Sequence, residues 1–193
     1  MVANPQRRLS VIDAALTVLG DRGGRGLTHR AVDAHAGLPV GTAANYFPSR
    51  AGLMLAMAER VFKLLAPSPE DLAEPDEARG EAFPRYVAAV VQRLLARPHL
   101  ATALIELRLA AARDDAVREV IGPFLRAGVA ADVDFHRDRG LPGGSDLVLL
   151  AHHAVNGILL DQLTVPLDPE ADPVDLARRM AQRLAATAGP SDA

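Results

Sequence analysis

The 193-residue sequence contains no cysteine and no tryptophan, and aromatic residues make up only 4% of it. The absence of cysteine excludes disulfide bonds and thiolate chemistry, so nothing requires an oxidising compartment. Long apolar runs are missing too. The most apolar stretch, 147–160, is interrupted by two histidines and an asparagine and is too short to cross a bilayer. The apolar positions after Arg8 are broken by Asp13, unlike those of a signal peptide, and we expect a cytoplasmic protein that does not contact a membrane.

Lysine is almost absent, since Lys63 is the single lysine beside twenty arginines. The charge is also uneven along the chain. Residues 1–50 hold six arginines against three aspartates, a formal charge of +3, whereas the remainder carries −6. A basic head on an acidic body indicates that contact with nucleic acid is confined to one end.

Apolar residues recur at helical spacing along the chain, and no segment shows convincing strand alternation. Asn4-Pro5 predicts the start of a first helix that ends in the glycines of 20–26, and Ser49 predicts the start of a fourth that stops at Pro67. The last two helices are expected at about 145–165 and 173–188. The pattern predicts an all-α fold of nine or ten helices.

The segment 27–47 predicts two short helices joined by a tight turn. Thr28 is placed to cap the first helix, and Gly37 supplies the left-handed residue that ends it. The second helix is expected to start near Leu38-Pro39, to carry small residues and to close at Tyr46. This arrangement is a helix-turn-helix, whose second helix can enter the major groove of DNA.

These residues resemble the signature of the TetR family of repressors. The resemblance rests on matches in order and at family spacing, namely Thr28, Ala36-Gly37-Leu38, Gly41-Thr42, Tyr46-Phe47 and Ser49-Arg50. Ala44 and Pro39 depart from the pattern, since many members carry a tyrosine at the first position and a small polar residue at the second. The resemblance implies a helix-turn-helix domain over residues 1–48, followed by a helical effector-binding and dimerisation domain over 49–193.

We expect a DNA interface built from the helix-turn-helix and the start of the fourth helix. Its residues are Thr28, His29, Arg30, Val40, Gly41, Thr42, Ala43, Asn45, Tyr46 and Arg50. Within this set, Val40, Thr42, Ala43 and Asn45 are expected to face the groove. Thr28, Tyr46 and Arg50 are expected to hold phosphates.

Polar residues interrupt two apolar helices of the body. Glu106 could form a salt bridge with Arg93 or Arg108, or it could line a pocket. His152 and Asn156 could pair at a helix or subunit interface, line a ligand cavity, or, for the histidines, bind a metal. The adjacent His152 and His153 point different ways on a helix, and no metal or other cofactor is expected.

A drug-sized cavity is predicted between the helices that carry Glu106 and His152, because the body has few large side chains to fill its centre. The residues assigned to this pocket are Thr102, Glu106, Leu109, Phe124, His152, Asn156 and Leu159. Tyr86 and Phe135 are expected to belong to the core. The glycines of 20–26 fit neither a Walker loop nor a dinucleotide fingerprint, and they are interpreted as a helix end and loop.

The sequence and its resemblance together predict a ligand-responsive transcriptional regulator without catalytic residues. It would bind a palindromic operator in double-stranded DNA as a homodimer, and a small hydrophobic effector would release it. Dimerisation is expected through the last two helices, whose apolar stripes are Leu147, Leu150, Ala154, Ile158, Leu176, Met180 and Leu184. A small helical-bundle enzyme using Glu106, His152 and Asp161 and a helix-turn-helix regulator without a ligand are the alternatives.

Overall fold

A computed structural model describes residues 4–68 and 79–187 of the chain. These residues form nine α-helices and no strand, which confirms the all-α class. None of the helices formed by these described residues is long and apolar enough to cross a membrane. The helices are α1 (Pro5–Gly26), α2 (His29–His35), α3 (Thr42–Tyr46), α4 (Arg50–Leu65), α5 (Arg79–Leu95), α6 (Pro98–Ala111), α7 (Asp115–Asp138), α8 (Gly144–Leu163) and α9 (Pro173–Thr187).

The described residues fall into two compact units. The first consists of Met1–Ala66 and Arg97–Phe124, and the second of Pro67–Ala96 and Leu125–Ala193, as far as these ranges are described. The first unit therefore contains α4 and α6 in addition to the helix-turn-helix. The boundary at residue 48 stays a prediction.

Three helix starts confirm the caps read from the sequence. The Asn4 side chain accepts a hydrogen bond from the Arg7 amide at 3.1 Å, and the Thr28 hydroxyl accepts one from the Ala31 amide at 3.1 Å. Ser49 accepts from the Gly52 amide at the start of α4, also at 3.1 Å. Each side chain satisfies an amide that has no partner within its helix.

The end of α1 agrees with the sequence-based expectation, whereas the start of α3 differs from it. Helical turns of α1 continue to Gly26, and the break lies at Gly23, whose φ of 64° is left-handed. The recognition helix α3 starts at Thr42 instead of near Pro39, because Gly41 adopts a φ of 92° and interrupts helical geometry there. A left-handed backbone at these two glycines would be strained with any side chain.

The first unit is held together by packing of α1 against α6. Val11, Leu16 and Leu19 of α1 are buried, as are Leu100 and Leu107 of α6. The two helices approach so closely that a Cβ on Gly20 would lie 2.2 Å from the backbone oxygen of His99. Only glycine fits at this crossing.

We therefore expect Gly20→Ala to destabilise the protein by about 1–3 kcal/mol, the usual cost of overpacking. Gly128→Ala is the matched control, because Gly128 lies in α7 and a Cβ there has no neighbour within 4 Å. It should raise stability by about 0.5–1 kcal/mol through helix propensity. Urea unfolding of both variants measures the difference, and equal stabilities would contradict the close packing of α1 on α6.

The second unit packs α5, α8 and α9 around an apolar cluster. Its buried members include Phe83, Val91, Leu147, Val155 and Leu159, and Ile158, Met180 and Leu184 pack against it. Several residues of the predicted dimer stripes thus contribute to the core of their own protomer. The apolar residues of α8 that remain exposed are Leu149, Leu150 and Leu160.

Candidate DNA interface and effector pocket

The helix-turn-helix forms in the first unit as the sequence predicts, from α2, a turn at Gly37 and α3. Gly37 has a φ of 63°, and the Leu38 amide donates to the backbone oxygen of Asp33 at 2.9 Å. Helix α3 has only five residues, and its N-cap Gly41 has no side chain to accept from the free amides. A helix this short is not stable by itself.

Asp33 of α2 supplies the missing cap. Its carboxylate accepts hydrogen bonds from the amides of Gly41 and Ala43, both at 2.7 Å, and its side chain is buried with 1% exposure. The bonds fix the start of the recognition helix on the helix before it. The sequence analysis used Asp33 only in the charge balance of residues 1–50 and did not predict its role as a cap. The available signal was an acidic residue next to Val32 on the inward side of α2.

The predicted groove-facing residues divide by exposure. Val40 is 85% exposed and Asn45 is exposed, whereas Thr42 is half-buried and its hydroxyl donates to the backbone oxygen of Pro39 at 2.6 Å. Ala43 is completely buried, so its assignment to the groove face is wrong. Its methyl group is buried within the first unit, and its amide donates to the Asp33 carboxylate.

The predicted phosphate contacts lie at the edges of the head. Thr28, Arg30 and Arg50 are exposed, and His29 is half-buried with an Nε2 that has no hydrogen-bond partner among the described residues. The Tyr46 hydroxyl lies 3.3 Å from the amide and 3.4 Å from the backbone oxygen of Asn4, so it also joins α3 to the start of α1.

An ion pair within the first unit connects α1 to α4. Arg60 donates two hydrogen bonds to the Asp13 carboxylate, at 2.7 and 2.9 Å. The hydrogen bond to Asp13 raises the pKa of Arg60, although burial of the guanidinium acts in the opposite direction. The bidentate geometry fixes α4, and with it Arg50, relative to α1.

The second unit contains a largely apolar pocket beside α5, α7 and α8. Its volume is about 100 Å³, and its aromatic walls are Phe83, Tyr86 and Phe135. The rings of Tyr86 and Phe135 meet edge to face with centroids 4.8 Å apart. The pocket is partly open to solvent, and its volume is smaller than that of the drug-sized cavity that the sequence predicts.

The arginine, aspartate and histidine side chains that line this pocket are Arg93, Asp132, His136 and His152. The His152 Nε2 lies 2.8 Å from an Asp132 carboxylate oxygen, so the pair joins α8 to α7. His152 was predicted from the sequence, whereas Asp132 was missed because it sits among other acidic residues of a polar helix face. Tyr86 and Phe135 were assigned to the core, and composition alone could not show that they leave a gap.

The remaining predicted pocket residues lie in both units. In the first, Glu106 accepts a hydrogen bond from the Gly24 amide at 3.0 Å, Phe124 stacks on Phe62, Thr102 is half-buried and Leu109 is 45% exposed. In the second, the Asn156 amide donates to the backbone oxygen of His152, and Leu159 belongs to the apolar cluster. Of the predicted set, His152 lines the 100 Å³ pocket. That the seven predicted pocket residues act together in one site stays a prediction.

Within the described ranges, no group of three or more histidine, aspartate or glutamate side chains could hold a metal ion.

The helix-turn-helix and the separate helical unit together define a DNA-binding regulator. The family model described as "Bacterial regulatory proteins, tetR family" matches residues 11–57, and the one described as "Tetracyclin repressor-like, C-terminal domain" matches residues 78–187. The second match covers more than half of the chain. The chain therefore belongs to the TetR family of transcriptional regulators.

Solved structures of similar proteins agree with this assignment. The multidrug binding protein EbrR complexed with imidazole is 27% identical over 98% of this chain and 99% of that chain, with a TM-score of 0.65. EbrR complexed with ethidium is 27% identical over 94% and 99%, with a TM-score of 0.64. A TetR family member from Streptomyces coelicolor A3 is 26% identical over 93% and 98%, with a TM-score of 0.65. Among curated proteins, none matches the chain.

Proposed function

We propose that the protein is a repressor that binds a palindromic operator as a homodimer and is released by a small molecule. The observation that carries the proposal is the short recognition helix, which Asp33 holds in place while Val40 and Asn45 stay exposed. A recognition helix presented in this way can read base edges in a major groove.

The proposed DNA interface keeps most of the predicted residues. Val40, Thr42 and Asn45 face the groove, and Gly41 permits close approach of the backbone. Phosphates are held from the flanks by Thr28, His29, Arg30, Tyr46 and Arg50. Selection of bound fragments from a random DNA pool tests the proposal, and it should yield an inverted repeat with half-sites about one helical turn apart or a multiple of that.

Arg50→Ala is expected to weaken binding to all DNA sequences alike. Removal of a phosphate-binding side chain lowers the slope of log K against log salt by about 0.9, and by about twice that in a dimer. Asn45→Ala should instead relax base preference with little change in slope. Fluorescence anisotropy with the selected operator and a scrambled duplex measures both effects. An unchanged salt slope for Arg50→Ala would remove this residue from the interface.

The proposed dimer surface is the exposed apolar face of α8. Leu149, Leu150 and Leu160 are 43%, 45% and 52% exposed, and a Cβ on Gly157 would have no neighbour within 4 Å. An isologous contact between two copies of α8 would cover this face. Helix α9 supplies flanking residues in this arrangement.

The proposed effector is a flat aromatic molecule that carries positive charge, and it binds in the pocket of the second unit. Aromatic rings there can stack on the ligand, and Asp132 can pair with its charge. EbrR, which was solved with ethidium, gives further support for this class. Because the cavity holds only about 100 Å³, such a ligand must displace side chains and separate Asp132 from His152.

Asp132→Asn is expected to weaken ethidium binding about fivefold, the effect of losing a half-exposed ion pair. Asp134→Asn is the matched control, since Asp134 lies on the same helix, pairs with Arg137 and does not line the pocket. Ethidium fluorescence titration measures both affinities at constant salt. Equal weakening in the two variants would show a general charge effect and would move the effector site elsewhere.

Release of DNA follows if the effector prefers a conformation that cannot bind the operator. The ligand then shifts a population that already exists, by no more than its differential affinity for the two states. The opening of the Asp132–His152 pair is the proposed difference between these states.

A further inference from the structure

A cleft in the first unit shares Arg50 with the proposed DNA interface, and its other residues have no role in the proposal above. Its volume is about 530 Å³, and it lies between the end of α1, the start of α4, α6 and the start of α7. The charged side chains that line it are Arg22, Arg25, Arg50, Arg113, Glu106 and Asp114. We call this site the arginine cleft.

The positive charges of the arginine cleft are only partly offset by the two carboxylates that line it. None of its four arginines forms an ion pair with any residue in the described ranges. Its two carboxylates are engaged with backbone amides: Glu106 accepts from Gly24 at 3.0 Å, and Asp114 accepts from Ala116 at 3.0 Å and from Val117. The four arginines are exposed and outnumber the two carboxylates, so the cleft keeps an excess of positive charge that a bound anion would offset.

The glycine-rich end of α1 holds two of these arginines at the cleft. Gly23 breaks the helix, and a Cβ on Gly26 would lie 2.4 Å from the Cβ of Arg22, so only glycine lets Arg22 pack here. The stretch is not a phosphate loop of free backbone amides, because Glu106 occupies the Gly24 amide. Its contribution to the cleft is the placement of guanidinium groups.

We propose that the arginine cleft binds phosphate groups. The planar guanidinium donates paired hydrogen bonds that match phosphate oxygens, and the cleft's formal charge of +2 favours a ligand with two or more negative charges. The phosphate belongs either to a free phosphorylated molecule or to a DNA backbone that passes the head. Arg50 is shared with the proposed operator interface, so a free phosphate ligand would compete with DNA.

Calorimetric titration of the full-length protein with sodium pyrophosphate tests the first source, with ionic strength held constant by sodium chloride. Arg113→Gln and Arg22→Gln should each weaken binding about fivefold, as expected for loss of an exposed ionic partner. Arg178→Gln should not change the affinity, because Arg178 is an exposed residue of α9 in the second unit and does not line the cleft. Glu106→Gln should tighten binding about threefold, because it removes a negative charge from the cleft, and Glu119→Gln on the exposed side of α7 is its control.

The second source is tested with a random-sequence DNA duplex. If the cleft holds backbone phosphates, Arg113→Gln lowers the salt slope by about 0.9 for each phosphate that it no longer binds, and Arg178→Gln does not. If Arg113→Gln weakens the binding of pyrophosphate and leaves DNA binding unchanged, the ligand of the cleft is a free phosphorylated molecule. If it changes DNA binding alone, the cleft binds phosphates of the DNA backbone. If neither ligand depends on Arg113 and Arg22, the proposal is overturned, and operator recognition through α3 is unaffected.

Discussion

Replacement of Asp33 by alanine is expected to weaken specific DNA binding strongly, although its side chain is buried and does not reach the DNA. The change removes the acceptor of two hydrogen bonds at 2.7 Å and leaves the buried Ala43 amide without a partner. Loss of a cap and of charged hydrogen bonds costs about 2–4 kcal/mol in total. Because α3 has only five residues, its geometry depends on these bonds, and operator affinity should fall by more than about tenfold.

Asp21→Ala is the matched control for this prediction. Asp21 is an exposed residue of α1 without a hydrogen bond to any described residue, so its replacement makes the same change in net charge. Added positive charge alone would strengthen binding to DNA. Weaker binding of Asp33→Ala in anisotropy and lower stability in urea would therefore reflect the missing cap. The operator affinity and the stability of Asp33→Asn should lie between those of the wild-type protein and of Asp33→Ala. The asparagine side chain has one amide oxygen, which can replace only one of the two carboxylate oxygens. Equal operator affinity of the two alanine variants would contradict the role of Asp33.

The features that could be predicted from the sequence are those with local signals. Asn4, Thr28 and Ser49 each bond an amide three residues later, so the cap and its partner lie in one short stretch of sequence. The spacing of apolar residues likewise indicates helices, because each turn buries the same face. The family signature extended this local information to the whole fold.

The features that could not be predicted depend on partners distant in the chain. Glu106 bonds Gly24 across 82 positions, and Asp132 meets His152 across 20. A single sequence shows that such a carboxylate needs a partner, but it does not show which one. The burial of Ala43 was missed for a related reason, since its amide bonds Asp33 across 10 positions of the chain.

Leu160→Arg is expected to convert the dimer into monomers. Leu160 is 52% exposed in the protomer and lies about three turns from Leu149 on the same face of α8. In an isologous dimer every substitution occurs twice, so two arginines would enter one interface without partners. Burial of an unpaired charge costs about 3–5 kcal/mol, and the dimer dissociation constant should rise by at least about a hundredfold.

Leu167→Arg is the control for this substitution. Leu167 is 94% exposed and lies beyond the end of α8, so the same change there should leave the dimer intact. Sedimentation at micromolar concentration gives the oligomeric state, and thermal unfolding shows whether each protomer still folds. A folded Leu160→Arg monomer should also lose the operator while it keeps weak, salt-dependent binding to any duplex, because one head cannot contact both half-sites. An unchanged dimer would place the interface on another surface, and a monomeric wild-type protein would contradict binding to a palindrome as a preformed dimer.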